Sequence, residues 1–216
     1  MADAIVTTVA IPTAGVELHG RMALPSSGKT LIVFVHGTGS SSASSRNLYI
    51  AEHLHRAGFG TLLFDLLTVS EQQHQRSSRI DRFDIASLSG RLLGTIEWAC
   101  GLTRLPSAGL CGASTGAAVA LAAASRLPRR VSAIVSRSGR PDLAGDATRR
   151  VIAPTLLIVG GQDTRVLRIN RRAVDQLRGP CRLEVVPGAT HLFEEPGALL
   201  QVATLASAWF SESSSW

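Results

Sequence analysis

The sequence predicts an α/β protein built on one mostly parallel, eight-stranded sheet with helices on both faces. Three observations point there. Short continuous apolar runs, such as Leu31-Ile-Val-Phe-Val35, have the composition of strands covered on both sides. These runs alternate with stretches of helical spacing, which is the rhythm of strand, helix, strand. The 216 residues give room for one core and too little for two domains of ordinary size, so residues 1–216 are expected to form a single domain.

The elements follow in order. Residues 5–11 and 16–24 read as two antiparallel strands joined by the turn cluster Pro12-Thr-Ala-Gly15. After the Leu31 run, Ile50, Leu54 and Ala57 recur at helical spacing, and Gly58 and Gly60 stop that helix before the buried strand Thr61-Leu-Leu-Phe-Asp65. The polar stretch 68–78 reads as a loop. Ile85, Leu88, Leu92, Ile96 and Ala99 mark one face of a longer helix. Ala108-Gly-Leu-Cys111 is a strand feeding Gly112-Ala-Ser-Thr-Gly116 and an alanine-rich helix to about Ser125. Strands follow at 131–136 and 154–159, then a helix with Ile169, Ala173 and Leu177, and a last strand at 182–186. Pro196 opens a final helix whose Leu199, Val202, Leu205 and Trp209 face inward, and the tail 211–216 is expected to fray.

Composition excludes several classes of protein. With 45% hydrophobic and 18% charged residues the chain has enough apolar surface to fold. The charge excess of +6 comes almost wholly from arginine, Lys29 being the sole lysine, and the arginines run from Arg21 to Arg182 along the chain. So dispersed an excess, with 5% aromatics, predicts no nucleic-acid partner. Cys100, Cys111 and Cys181 have no C-x-x-C spacing, which predicts neither disulfides nor a thiolate metal site and suits a reducing cytoplasm. No apolar run approaches the roughly 18 residues of a membrane span, and the first residues lack a cationic leader, so a soluble protein is expected.

Chemistry concentrates after the strands. Gly112-Ala-Ser-Thr-Gly116 fits G-x-S-x-G, a strained strand-to-helix turn that lifts a serine oxygen clear of the sheet. Thr115 would begin the helix and offer its N–H to charge developing on an attacked carbonyl. A serine nucleophile needs a histidine base oriented by a carboxylate. Asp163 follows the 154–159 strand and His191 the last strand, which predicts a Ser114, Asp163, His191 triad. The alternative for Asp163 is a plain helix cap, and Asp142, after the 131–136 strand, is the rival acid. In His36-Gly-Thr-Gly39 the Thr38 N–H is the second expected oxyanion donor, with His36 orienting the loop.

These segments together resemble the α/β-hydrolase superfamily, and within it the small, capless, dienelactone-hydrolase-like branch. The stretches that carry the resemblance are Phe34-Val-His-Gly-Thr-Gly-Ser40, Gly112-Ala-Ser-Thr-Gly116, Val159-Gly-Gly-Gln-Asp163 and Pro187-Gly-Ala-Thr-His-Leu-Phe193. The resemblance implies the α/β-hydrolase fold and cleavage of a carboxylic ester or lactone through an acyl-enzyme, with no metal or organic cofactor. The branch's namesakes use a cysteine nucleophile where this chain has Ser114. The 17 residues from 137 to 153, where larger relatives insert a lid, cannot form one, which favours small soluble substrates. Thioester, acyl-transfer or peptide chemistry would use the same residues, and a binding protein could share the fold. Arg46, Arg137 and Arg140 should reach the rim where Ser114 emerges, where Arg46 and Arg137 could clamp a substrate carboxylate; the alternative is that these are solvated loop arginines or partners of Asp142 and Asp146.

Overall fold

The computed structural model describes residues 6–25, 30–78 and 84–213. Two antiparallel strands, β1 (Val6–Thr13) and β2 (Val16–Ala23), are joined by Ala14 and Gly15, both at positive φ as a tight two-residue hairpin requires. β2 runs antiparallel to β4 (Gly60–Phe64), which pairs in parallel with β3 (Leu31–Val35). β5 (Ala108–Ala113), β6 (Val131–Arg137), β7 (Thr155–Gly160) and β8 (Cys181–Val186) complete the parallel part. The order across the sheet is β1-β2-β4-β3-β5-β6-β7-β8. All of β3 and β4 is buried, which explains their unbroken apolar composition.

Helices cover both faces. On one, α3 (Ile85–Thr103) and α4 (Thr115–Ala124) pack Leu92, Ile96, Val119 and Leu121 against Val33, Leu62 and Leu110. On the other, α1 (Ser45–Arg56) and α6 (Ala198–Ser213) pack Ile50, Leu54, Val202 and Phe210 against Ile32, Phe34 and Leu63. Phe59 meets Phe210 edge to face with ring centroids 6.1 Å apart. α4 is buried from Gly116 to Ala124, and its alanines allow that close seat in the sheet. α5 (Thr164–Val174) lies between β7 and β8.

Several expectations are corrected. Residues 68–78 are not a loop: α2 spans Val69–Ser78. Its start is fixed by a reciprocal cap, the Thr68 N–H donating to Glu71 Oε2 at 2.8 Å and the Glu71 N–H to Thr68 Oγ1 at 3.3 Å. A 3₁₀ segment, Pro141–Arg150, fills the β6–β7 connection in place of a lid. Leu177 is buried but lies beyond α5, and α6 starts at Ala198 and not at Pro196. Residues 211–213 are the last turn of α6, with Ser213 Oγ donating to the Trp209 carbonyl at 2.7 Å. Ile5, Lys29 and residues 214–216 lie outside the described residues.

The parallel direction has one consequence for chemistry. The turns that leave β3, β4, β5, β6, β7 and β8 all open at the same edge of the sheet, so residues far apart in sequence meet there.

Candidate active site

Ser114 sits between β5 and α4 with φ 51° and ψ −122°, a left-handed conformation that a serine rarely adopts. Its neighbours leave little alternative. A Cβ on Gly112 would lie 2.6 Å from Ala117 Cα, and one on Gly116 would lie 2.2 Å from the Val35 carbonyl oxygen. The turn is tied to the next strand by the Ser114 N–H donating to the Arg137 carbonyl at 3.0 Å, and the Arg140 N–H returns to the Ser114 carbonyl at 3.1 Å. The serine hydroxyl caps nothing in α4.

His191 and Asp163 come from the turns after β8 and β7. His191 Nδ1 lies 2.5 Å from Asp163 Oδ2, while Asp163 Oδ1 accepts the Val166 N–H at 3.3 Å. The acid is therefore both a helix cap and the partner of the imidazole. Asp142, the rival, is engaged elsewhere: Arg140 holds it with Nε–Oδ1 at 2.8 Å and Nη2–Oδ2 at 2.7 Å, and this pairing lowers the Asp142 pKa. The same pairing removes Arg140 from the group of free rim arginines.

Ser114 and His191 share a cleft of about 290 Å³, lined also by Gly37, Thr38, Arg46, Arg137 and Ser138. Thr38 does not offer an open donor here. Its N–H donates to Thr115 Oγ1 at 2.8 Å, and the two hydroxyl oxygens are 3.0 Å apart. Sequence reasoning counted only the Thr115 backbone and missed its hydroxyl. His36 is buried and joins two loops, Nε2 accepting the Leu66 N–H at 3.0 Å and Nδ1 donating to the Gly37 carbonyl at 3.0 Å. Burial pushes its pKa below the ordinary histidine value. Asp65 adds a second tie by accepting the Ser42 N–H at 2.7 Å.

The two rim arginines differ. Arg46 pairs with the exposed Glu194 at 3.2 Å. Arg137 is 7% exposed; among the described residues its one side-chain bond runs from Nη2 to Asn47 Oδ1 at 2.8 Å, and no carboxylate among them balances it. Burial lowers its pKa to about 10. Beside it Ser138, at φ 43°, is buried and its Oγ has no hydrogen-bond partner among the described residues. Neither Asn47 nor Ser138 stood out in the sequence, since neither belongs to a motif. Among the described residues no His, Cys, Asp and Glu group could hold a metal ion.

Residues 30–153 match the family model of the α/β-hydrolase fold. Two Mycobacterium tuberculosis proteins, both provisionally named phosphoribosyl transferase, are 51% identical over 205 residues, covering 94% of this chain and 45% of theirs. The chain thus spans about half the length of these curated relatives. The crystal structure of dienelactone hydrolase from Anabaena variabilis is similar with TM-score 0.94 and 46% identity, over 98% of this chain and 99% of that one. A lidless α/β serine hydrolase from Xanthomonas campestris, at 18% identity and TM-score 0.76 over 96% of this chain and 94% of its own, shares the fold.

Proposed function

The chain belongs to the α/β-hydrolase family, in its dienelactone-hydrolase-like branch, and on that premise we propose that it is a serine hydrolase cleaving a small carboxylic ester or lactone through an acyl-enzyme. One observation carries the reading: a histidine held by a buried-side carboxylate, His191 with Asp163, shares a cleft with a serine in a strained strand-to-helix turn.

The steps follow from these groups. Asp163 fixes the proton of His191 on Nδ1 and leaves Nε2 to take the Ser114 hydroxyl proton as Oγ attacks the carbonyl carbon. The oxyanion accepts the Thr115 N–H, at the start of α4, and the Thr38 N–H once the Thr115 hydroxyl releases it. Collapse breaks the carbon–oxygen bond of the leaving group, which departs with the proton from His191. Water, deprotonated by the same nitrogen, then frees the acid and restores Ser114. Neither a metal nor an organic cofactor enters any step.

Arg137 supports a substrate bearing a carboxylate beside the scissile bond. A buried guanidinium without a counter-ion is costly, and an anionic ligand in the cleft would balance it. Arg46, whose partner Glu194 is exposed, would supply the second fork. The three free cysteines fit a cytoplasmic location. The phosphoribosyl transferase name belongs to proteins about twice as long, and a Ser–His–Asp cleft serves acyl transfer.

A fluorophosphonate should label Ser114 in the intact protein, located by mass spectrometry, and a panel of nitrophenyl esters, lactones, thioesters and aminoacyl amides should show turnover with the oxygen esters first. Labelling elsewhere, or none, would exclude this mechanism. Replacing Arg137 or Arg46 with methionine should raise KM for a carboxylate-bearing ester relative to its neutral homologue, and an unchanged ratio would exclude the clamp.

A further inference from the structure

The expectation of no nucleic-acid partner rested on arginines dispersed along the sequence, but the parallel topology gathers many of them. The connections that enter β5, β6, β7 and β8 all lie at the sheet edge opposite Ser114, one strand length or about 20 Å away. Arg104 precedes β5, Arg126, Arg129 and Arg130 precede β6, Arg149 and Arg150 precede β7, and Arg171, Arg172 and Arg178 precede β8. All nine are exposed; Asp175 lies among them, and the exposed Asp146 precedes Arg149 by three residues. The nine arginines far outnumber these two acids, so the edge carries a local excess of positive charge.

The connections also touch one another. The Ala108 N–H donates to the Arg130 carbonyl at 2.9 Å, Arg130 Nη1 reaches the Pro106 carbonyl at 3.0 Å, and the Arg178 N–H donates to the Val151 carbonyl at 3.1 Å. These bonds tie the β5 and β6 entries to each other and the β7 and β8 entries to each other, so the arginines lie along one edge of four neighbouring strands, roughly 15 Å wide at the usual strand spacing. Among the described residues none of the nine is in an ion pair.

We infer that this edge docks the phosphate backbone of a duplex nucleic acid without reading its sequence. Protein interfaces centre on an apolar patch with few charges, whereas the exposed aliphatics here, Leu102 and Ile152, stand two strands apart among arginines. A surface so rich in cations and poor in apolar area has the composition of a phosphate contact. The segments that lead directly into these strands, 104–107, 125–130, 149–154 and 175–180, contain no aromatic residue on which bases of a single strand could stack. The catalytic cleft faces away, so the two sites can be occupied together.

Fluorescence anisotropy of a labelled duplex of mixed sequence tests this with two variants of equal charge. R149Q/R150Q removes two edge arginines, and R165Q/R168Q removes two exposed arginines of α5 nearer the catalytic edge. The wild type should bind with steep salt dependence, and the edge variant should flatten the log Kd against log salt slope by about 2 and weaken binding at least about tenfold near 0.1 M salt. The α5 variant should change Kd less than about twofold. Both should hydrolyse a short nitrophenyl ester as the wild type does, which shows them folded. Equal weakening by the two variants, no binding near 0.1 M salt, or tighter binding to phosphatidylglycerol vesicles than to duplex would overturn the inference.

Discussion

The Thr38 N–H donates to Thr115 Oγ1 at 2.8 Å, so the residue after Ser114 closes one of the two donors that an oxyanion developing in the proposed reaction would use. The hydroxyl must turn away, or share that donor, before a carbonyl oxygen can sit between the Thr38 and Thr115 amides. A neutral hydrogen bond of this kind is worth about 1 kcal/mol net.

Thr115→Val keeps the shape of the side chain and removes the competing oxygen. The expected result is a rise in kcat/KM for short esters of roughly fivefold, the rate equivalent of that bond. Steady-state kinetics on a neutral nitrophenyl ester would check it. A fall instead would mean that the hydroxyl holds the Gly37–Thr38 turn in place and that the position of the loop outweighs access to the donor.

For the acid, Asp163→Asn should lower kcat roughly 10³- to 10⁴-fold by leaving His191 in the wrong tautomer, whereas Asp142→Asn should lower it less than about threefold. Because Asp163 also caps α5 through Val166, thermal unfolding should be recorded alongside. An amide still accepts that N–H, so Tm should move little. Reversal of the two kinetic effects would transfer the role to the β6 turn.

The groups that meet in the cleft were legible because each follows directly on a strand whose apolar run is unmistakable. A parallel sheet then brings Ser114, Asp163 and His191 to one edge regardless of their separation in sequence. What escaped notice depends on contacts made across the fold. α2 has no apolar stripe, and its first turn is held by Arg91, 20 residues away, with guanidinium nitrogens 2.6 and 2.7 Å from Glu71. The Thr115 hydroxyl matters only because Thr38 lies against it. The arginines at the far edge look dispersed until the strand order is known.

The Glu71–Arg91 pair predicts its own pH dependence. Hydrogen bonding from Arg91 holds the Glu71 pKa at about 2, well below the usual carboxylate value. A group with a depressed folded pKa contributes stability that is complete above its unfolded value and is lost as pH falls toward the folded one. Wild-type Tm should therefore drop between about pH 4.5 and pH 2 more steeply than that of Glu71→Gln, whose Tm should already be lower at neutral pH. Parallel pH–Tm curves for the two proteins would remove Glu71 from the account.

His36 should act at higher pH. Its ring is buried, it accepts the Leu66 N–H through Nε2, and only the neutral imidazole can accept there. Burial lowers its pKa, so the unfolded chain binds this proton more readily than the folded one, and stability falls as pH drops below about 6.5, the ordinary histidine value. Asp65 Oδ1, 3.8 Å from Nε2, offsets part of the burial effect without reversing it. The same ring positions the turn that carries Thr38, because Nδ1 donates to the Gly37 carbonyl. His36→Gln, whose amide can supply one donor and one acceptor, should flatten Tm between about pH 6.5 and 5 while lowering kcat more than it changes KM. Differential scanning fluorimetry across that range, paired with ester kinetics, measures both. A variant that kept the wild-type pH slope would show that the titration belongs to another group, and one that kept wild-type kcat would show that the Gly37–Thr38 turn holds its position without the ring.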